Sequence, residues 1–167
     1  RIVDFAVAPF NMILTLDDGT VVGVGIRGSE LVTTIPEKLQ DGSTNIVKVV
    51  TSETGALALD DQGHLHGWGR ISGTVLTDIE QLDSPVVKIS SNLKTFYALT
   101  EEGHVHTLGS AKYGLSDIPS NVEKQHTKDI FSAYYSAYAV DEDGNIDAWG
   151  LEGFILGSDG FGRDVAT

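Results

Sequence analysis

The stretch VVKISSNLKTFYALTEEGHVHTLG at residues 86–109 recurs in related form at 2–25, 46–69 and 127–150, and this repetition decides the fold. Each copy has a glycine after an acidic turn, a second glycine six positions later, and a charged residue fifteen positions before the turn. The turn glycines are Gly19, Gly63, Gly103 and Gly144; the second glycines are Gly25, Gly69, Gly109 and Gly150; the charged residues are Asp4, Lys48, Lys88 and Asp129. The chain is therefore predicted to consist of four tandem copies of one structural unit.

Each copy predicts short β-strands. In residues 86–109 the runs VVKIS, FYALT and HVHTLG read as strands, and the acidic turn TEEG separates the last two. Acidic side chains that bond to nearby backbone, followed by a glycine that adopts positive φ, are typical of a hairpin turn. A shorter apolar piece follows each of the first three copies, as in LSDIPSNV at 115–122. We expect it to form an outer edge strand, because prolines are tolerated there. The prolines in or beside these pieces are Pro36, Pro85 and Pro119.

Three or four strands in about 41 residues, repeated in tandem, match the blade of a β-propeller. Such a unit cannot bury both of its faces alone, so it must stack on its neighbours. A stacked β-solenoid is the alternative architecture, and the antiparallel hairpins favour the propeller. We expect one all-β domain over residues 1–167. Its repeats would span approximately 1–44, 45–84, 85–125 and 126–167. Because the chain begins at Arg1, we interpret it as a processed product or a piece of a longer chain.

The repeated frame resembles the RCC1-like repeat, in which an apolar V-x-x-I precedes an acidic-Gly turn and then G-x-V-x-x-W-G. The residues that carry the resemblance are VVKIS…YALTEEGHVHTLG and AYAVDEDGNIDAWG. Trp68 and Trp149 keep the tryptophan, whereas Val24 and Leu108 replace it. The short period is similar to that of the propeller-type β-lactamase inhibitory protein. The resemblance implies a ring that usually has seven blades. Four copies then imply a partial propeller, a ring completed by another chain, or a smaller ring.

Two copies carry a His-x-His pair on the third strand, namely His64 with His66 and His104 with His106. Alternate strand residues share a face about 7 Å apart, a spacing from which two imidazoles can reach one zinc ion. The other two copies hold Thr, Val, Asn and Asp at the same positions. We therefore interpret the histidines as ordinary strand residues and weak metal candidates, and we expect neither a metal nor another cofactor.

The composition argues against several classes of partner. The chain has 24 acidic and 11 basic residues and a formal net charge of −13, so it repels phosphate backbones, and nucleic acid is not expected as a partner. No apolar run reaches the roughly 18 residues of a membrane span, and the absence of cysteine excludes disulfides. No nucleophile elbow or phosphate-binding glycine loop is present, so an enzyme is not predicted. We expect a soluble protein, and a virion or extracellular location is one interpretation.

Aromatic residues accompany the predicted strands. Most are expected to pack in the core, and a minority that face a loop surface could bind a sugar or a protein. They are Trp68, Phe96, Tyr97, Tyr134, Tyr135, Tyr138 and Trp149.

These features predict a non-enzymatic scaffold that presents loops to a protein partner or to other subunits of an assembly. The loops expected to make contact are 27–36, 70–78, 110–118 and 151–163. One alternative is a structural component of a larger assembly, such as a bacteriophage virion or a surface appendage. Another is a lectin-like propeller that binds glycans. A fourth hypothesis is inhibition of a hydrolase.

Overall fold

The computed structural model describes residues 1–71, 82 and 84–155. Within this part the chain forms four antiparallel sheets, and each contains three strands that are consecutive in sequence. The all-β prediction is confirmed. We call the sheets blades 1 to 4. Their strands are β1 Ile2–Ala8, β2 Asn11–Leu16, β3 Val21–Gly25, β4 Ile46–Thr51, β5 Gly55–Asp60, β6 Leu65–Gly69, β7 Val86–Ser91, β8 Thr95–Thr100, β9 Val105–Gly109, β10 Thr127–Ala133, β11 Ser136–Asp141 and β12 Ile146–Gly150.

A β-bulge lies at the same place in the first strand of every blade. In blade 1 the register shifts between Ile2 and Asp4, and the corresponding shift recurs in the other three blades. The charged residue of the repeat follows this bulge. Lys48 Nζ lies 2.8 Å from Asp4 Oδ2, and Lys88 forms an ion pair with Asp129. The repeated charge is therefore a contact between successive blades.

The hydrophobic core lies between the blades. Among the described residues, each of three buried clusters takes side chains from two successive blades. In the first cluster, Ile13 and Val21 of blade 1 pack with Ile46, Val49 and Trp68 of blade 2. The first strands of successive blades also contact one another. The blades are therefore stacked as in a β-propeller, and four of them make a partial propeller.

The predicted outer edge strand is wrong for two of the three connecting pieces. The connection after blade 1 contains a helix, α1 (Glu30–Thr33), and a 3-10 turn at Glu37–Leu39. The connection after blade 3 contains a 3-10 turn at Lys112–Gly114 and a helix, α2 (Ser120–Lys124). The piece after blade 2, at 75–82, lies outside the described residues apart from Leu82.

The helical segments of the connections are short, because extended residues interrupt them: ψ is 97° at Thr34, 138° at Pro36 and 142° at Pro119. Buried or partly buried apolar residues in both connections hold these segments against the blades. They are Val32, Ile35 and Leu39 in the first connection and Leu115, Ile118 and Val122 in the second. Pro36 and Pro119, both with φ of −56°, immediately precede helical turns, a position that tolerates proline. None of the helices in the described part of the chain has the length and apolar character needed to cross a membrane.

Candidate functional site

The two ends of the stacked blades differ in chemistry. One end carries the turns between first and second strands together with the segments that leave the third strands. The Ile26 N–H donates to Phe10 O at 3.2 Å, which places both residues at this end in blade 1. We call the large exposed side chains at this end the apolar rim. They are Phe10, Ile26, Tyr113, Tyr134 and Phe154, each between 45% and 66% exposed.

The opposite end carries the hairpin turns between second and third strands, and it is acidic. The exposed acidic side chains in these turns are Asp17, Asp18, Asp61, Glu101, Glu102, Glu142 and Asp143. Asp141, just before the last turn, accepts hydrogen bonds from the Asn145 side chain at 2.8 Å and from the backbone N–H groups of Asn145 and Asp143, both at 2.9 Å. The Asn145 side-chain bond, followed by these backbone bonds, holds the pKa of Asp141 below its usual range. The acidic residues of these turns thus shape the hairpins.

Four aromatic rings at the same end as the apolar rim form one connected group, which we call the aromatic cluster. Tyr134 and Tyr135 belong to the turn between β10 and β11, Tyr113 follows β9, and Phe154 follows β12. The ring centroids of Tyr113 and Tyr135 lie 5.1 Å apart, and those of Tyr135 and Phe154 lie 5.2 Å apart. Tyr134 stacks on Phe154 at 6.2 Å. Three separate segments of the chain therefore build one aromatic surface.

Two members of the aromatic cluster have strained backbone. In the described part of the chain, the non-glycine residues with positive φ are Tyr113 at 59° and Tyr134 at 44°. A bulky side chain in the left-handed region costs about 1–3 kcal/mol, and such strain is found disproportionately at functional sites. Both strained residues are exposed, so the strain presents a ring to solvent and does not fill a core.

A groove adjoins the aromatic cluster at the ends of the first strands. Its volume is about 480 Å³, and Tyr134 forms one of its walls. The remaining lining is mostly apolar, with a few polar groups: Val7, Ala8, Pro9, Thr51, Ser91, Asn92 and Leu93. A groove of this size accommodates one or two side chains of a protein partner or a small glycan.

Backbone hydrogen bonds tie the turns of this end to one another. The Glu53 N–H donates to Leu93 O at 3.2 Å, and the Leu93 N–H donates to Tyr134 O at 3.0 Å. Lys94 Nζ lies 2.5 Å from Glu53 Oε2. The hydrogen bond to Glu53 raises the pKa of Lys94, and Tyr135 and Tyr113 lie close enough to contribute. The aromatic cluster therefore rests on a network that spans blades 2 to 4.

The predicted repeat residues hold the blades in place. Trp68 Nε1 donates to Val32 O at 2.7 Å, and Trp149 Nε1 donates to Leu115 O at 3.1 Å, so each tryptophan anchors the connection that precedes its blade. At Gly150, a side chain would begin 2.4 Å from Tyr135 O, which explains the need for glycine there. Gly69 and Gly109 likewise have positive φ, and a Cβ on Gly25 would meet nearby side chains and backbone.

The structure does not bring the two His-x-His pairs together. His66 Nε2 lies 2.9 Å from Asp60 Oδ2, and His64 Nδ1 lies 3.6 Å from the same oxygen. His104 and His106 belong to the next blade. No group of three metal-ligating side chains that could hold an ion is found in residues 1–71, 82 and 84–155. The four histidines remain weak metal candidates, and the structure assigns the first pair to a carboxylate of its own hairpin.

Asp60 is a buried acidic residue. Burial raises its pKa, but hydrogen bonds from His66 and from the backbone N–H groups of His64 and Gln62 outweigh this effect. The net result is a pKa below the usual range. Asp60 therefore stabilises its hairpin as a carboxylate.

Two of the predicted contact loops, 27–36 and 110–118, are described, and the second supplies Tyr113. The loops at 70–78 and 151–163 lie mainly outside the described residues, beyond Ile71 and Ile155. The sequence indicated Tyr134 and Tyr135 as candidate contact residues but not Tyr113, Phe10 or Phe154. These residues share one sequence signal that could have indicated them: each is an aromatic residue inside a predicted turn or loop, where no strand face can bury it.

Comparison with known proteins relates the chain to longer proteins. No protein-family model matches the chain. The human protein Regulator of chromosome condensation is 27% identical over 169 residues, which cover 77% of this chain and 39% of that protein. The chain therefore spans about two fifths of this relative.

Solved structures show the same architecture. Human WBSCR16 aligns with a TM-score of 0.72 and 15% identity over 90% of this chain and 48% of that protein. Prp20p from Saccharomyces cerevisiae, a protein described with its binding to Gsp1p and histones, aligns with a TM-score of 0.71 and 16% identity. That match covers 90% of this chain and 44% of Prp20p. The likeness establishes a shared propeller fold.

Proposed function

We propose that this chain, whose four blades are similar to RCC1-like repeats, is a protein-interaction scaffold whose contact surface is the aromatic cluster. The observation that carries the proposal is the pair of exposed tyrosines, Tyr113 and Tyr134, which both contact Tyr135 and are both held in left-handed backbone conformations. A stable fold gains nothing from such strain at an exposed position. A binding surface gains a fixed orientation of the rings.

The chemistry of the aromatic cluster fits a protein partner. Tyrosine combines a large apolar ring with a polar hydroxyl and has few rotatable bonds, so its burial in an interface costs little conformational entropy. Residues that dominate binding energy are enriched in tyrosine and tend to lie beside pockets. Here the groove bounded by Tyr134 and Leu93 supports insertion of an apolar side chain of the partner.

The blades make the surface rigid. Tyr134 and Tyr135 follow β10, whose Ile130 packs in the core between blades 3 and 4. Tyr113 precedes Leu115, which is fully buried. Because the supporting residues are packed, the cluster is organised before binding, which lowers the entropic cost of association.

Glycine substitution gives the sharpest test of this surface. Tyr134→Gly removes the ring and also relieves the left-handed strain, so we expect the thermal stability to stay the same or rise. Binding of a partner is expected to weaken about tenfold or more, as for an aromatic hot spot. Calorimetry on the purified partner provides the measurement, and Tyr113→Gly is expected to behave in the same way.

The partner is obtained by photo-crosslinking with a benzoylphenylalanine placed at Tyr134. Glu102, exposed in an acidic turn at the other end, is the matched control position. Capture of the same protein from both positions, or unchanged affinity in both glycine variants, would argue against the aromatic cluster as the contact surface.

A glycan is the second candidate ligand for the same surface, because exposed rings beside a groove also stack on sugars. A glycan array probed with the wild-type chain and with Tyr134→Gly distinguishes the two. The role in a virion or surface appendage and hydrolase inhibition stay predictions from the sequence.

A further inference from the structure

The described part of the chain contains three Asp-Gly steps, and the fold places them in different surroundings. They are Asp18–Gly19, Asp41–Gly42 and Asp143–Gly144. The first and the third lie in hairpin turns of blades 1 and 4, whereas the second lies in the connection from blade 1 to blade 2. At an Asp-Gly step the side chain can cyclise on the next backbone nitrogen, because glycine has no Cβ to obstruct the approach. The three steps therefore place the same chemistry in three settings.

The carboxylate of Asp41 is held beside the nitrogen of Gly42. Asp41 Oδ1 accepts a hydrogen bond from the Ser43 N–H at 2.8 Å. This is an Asx turn, in which the side chain bends over the peptide that joins its own residue to the next one. Asp18 forms the same turn, because its Oδ1 accepts the Thr20 N–H at 3.0 Å. The carboxyl carbon is therefore positioned for cyclisation at both of these steps.

The backbone nitrogen of glycine distinguishes Asp41–Gly42 from Asp18–Gly19. The Gly19 N–H donates to Leu16 O at 3.0 Å, whereas no described atom accepts a hydrogen bond from the Gly42 N–H. Attack on the side chain requires the peptide plane to turn until the nitrogen faces Cγ, and a hydrogen bond opposes that rotation. The Gly42 peptide can therefore turn without breaking a hydrogen bond to a described residue.

Packing separates the same two steps. A Cβ on Gly19 would lie 2.2 Å from Asn45 Oδ1 and 3.0 Å from Asn45 Cα, so the chain that enters blade 2 lies against this turn. Nothing lies within 4 Å of the same point at Gly42, which is exposed. Rotation of the peptide is therefore obstructed at Gly19 and unobstructed at Gly42.

The third step lacks both the positioned carboxyl and the free nitrogen. The Asn145 N–H, which would complete an Asx turn with Asp143, donates to Asp141 Oδ1 at 2.9 Å. The Gly144 N–H donates to Asp141 O at 3.1 Å. The hairpin of blade 4 therefore holds Asp143–Gly144 in an arrangement that does not favour cyclisation.

We propose that Asp41 is a site of spontaneous covalent modification, at which the side chain cyclises on Gly42 and the main chain becomes β-linked. In the first step the Gly42 nitrogen bonds to Asp41 Cγ, and the hydroxyl of the protonated carboxyl leaves with the amide proton as water. In the second step water adds to the backbone carbonyl carbon of Asp41, and the bond from that carbon to the Gly42 nitrogen breaks. The product has its original mass, one more CH₂ in the main chain and a free α-carboxyl group, and water is the one reagent consumed and released.

The modified main chain fits the fold, because the connection is anchored on both sides of Asp41. Leu39, at the end of the 3-10 turn, is fully buried, and Ile46, at the start of β4, is 3% exposed. The additional CH₂ lies between these anchors, where Gly42 has open space around it. The modified chains therefore accumulate as folded protein, and the change is confined to the exposed connection between blades 1 and 2.

The acidity of the carboxyl groups does not distinguish Asp41 from Asp18. The Ser43 hydroxyl, followed by the Ser43 N–H, lowers the pKa of Asp41, and the Thr20 hydroxyl, followed by the Thr20 N–H, lowers the pKa of Asp18. Cyclisation requires a protonated carboxyl, so both steps are slowed at neutral pH and proceed faster in mildly acidic solution. A difference in rate between the two steps must therefore come from the glycine nitrogen and its surroundings.

Peptide mapping of the intact protein tests the proposal. The folded chain is incubated in isotopically labelled water at mildly acidic pH and then digested, and electron-transfer fragmentation distinguishes β-linked from α-linked aspartate. We expect β-linked aspartate with incorporated label at residue 41, and about tenfold less or lower at residues 18 and 143, where a hydrogen bond to the glycine nitrogen must break first. Equal accumulation at the three residues would overturn the proposal.

The same measurement in urea separates the effect of the fold from that of the neighbouring residues. The unfolded chain has neither the hairpins nor the Asx turns, so we expect the three rates to converge. If residue 41 reacts faster than residues 18 and 143 by the same factor in urea as in the folded protein, its neighbours in sequence set the rate, and the structural assignment is wrong.

Asparagine substitutions give a matched set in which ionisation of the side chain has no part. Asp41→Asn, Asp18→Asn and Asp143→Asn keep a side-chain oxygen for the turn, and their cyclisation releases ammonia. Hydrolysis then leaves an acid in place of the amide, which intact-mass measurement detects. We expect Asp41→Asn to deamidate about tenfold faster or more than the other two variants. A rate for Asp41→Asn no higher than that of either control would contradict the proposal.

Discussion

At the scale of single residues, Gly63 serves two purposes in its turn. Its φ of 84° lies in the left-handed region, and its missing side chain leaves room for the next blade. A Cβ at this position would lie 2.7 Å from Pro85 Cβ, whereas nothing lies within 4 Å of the same point at Gly42. One residue type thus completes the hairpin and lets the following strand approach.

The first prediction compares these two glycines. Gly42→Ala is expected to cost about 1–2 kcal/mol of unfolding free energy, which is the cost of left-handed backbone. Gly63→Ala is expected to cost about 1–3 kcal/mol more, because the incoming strand must shift. Urea denaturation measures both. Equal losses of unfolding free energy in the two variants would mean that the close approach of Pro85 to Gly63 does not affect stability.

Asp60 predicts a specific pH dependence. Its folded-state pKa is lowered, so its contribution to stability is fully present above the unfolded pKa of about 3.9 and is lost as pH falls through the folded pKa. Asp60→Asn keeps an acceptor oxygen for the turn but does not titrate. We expect the wild type to lose more unfolding free energy than Asp60→Asn between about pH 5 and pH 3. Parallel pH curves for the two proteins would contradict this.

At the scale of secondary-structure elements, the two described connections between blades contain short helical segments, and tertiary packing covers the apolar side chains of these connections. α1 and the turn at Glu37–Leu39 place Val32 and Leu39 against blade 2. Pro36 has no N–H to donate to Val32 O four residues earlier, and Trp68 supplies that hydrogen bond from the next blade. The connection and the blade therefore complete each other.

The two tryptophans provide an element-scale prediction. Trp68→Phe leaves Val32 O without its indole donor and is expected to cost about 1–3 kcal/mol. Trp149→Phe is expected to cost less from this source, because Leu115 O also accepts the Tyr97 hydroxyl at 2.7 Å. Both substitutions remove similar ring area, so the difference in their losses of unfolding free energy measures the cost of leaving the Val32 carbonyl without a hydrogen-bond donor. A larger loss for Trp149→Phe would argue against this assignment.

At the scale of the whole molecule, the core lies between blades, so protection from solvent varies along the stack. β5 and β8 are buried at every position, whereas β1 has one open face. We expect amide hydrogen exchange to be slowest in β5 and β8 and faster in β1. Exchange in β1 as slow as in β5 would contradict the stacking order.

The two ends of the whole molecule also differ in chemistry: one end carries the acidic turns and the other carries the aromatic cluster. The sequence predicts the acidic turns, because each hairpin repeats Asp or Glu before glycine. The sequence predicts only part of the aromatic cluster. Tyr113, Tyr134 and Phe154 are separated in sequence, and no local pattern places their rings together.

The sequence by itself determined the four copies, their hairpins and their glycine turns, because period, turn chemistry and φ preference are properties of neighbouring residues. It did not decide that LSDIPSNV at 115–122 leads into a helix that begins at Ser120 and does not form an edge strand, because a short apolar segment takes the conformation that its packing partners favour. Only the tertiary structure showed that Phe5 is exposed where Val49 is buried. The two residues occupy the same place in the repeat, and the difference arises from whether another blade lies against that face.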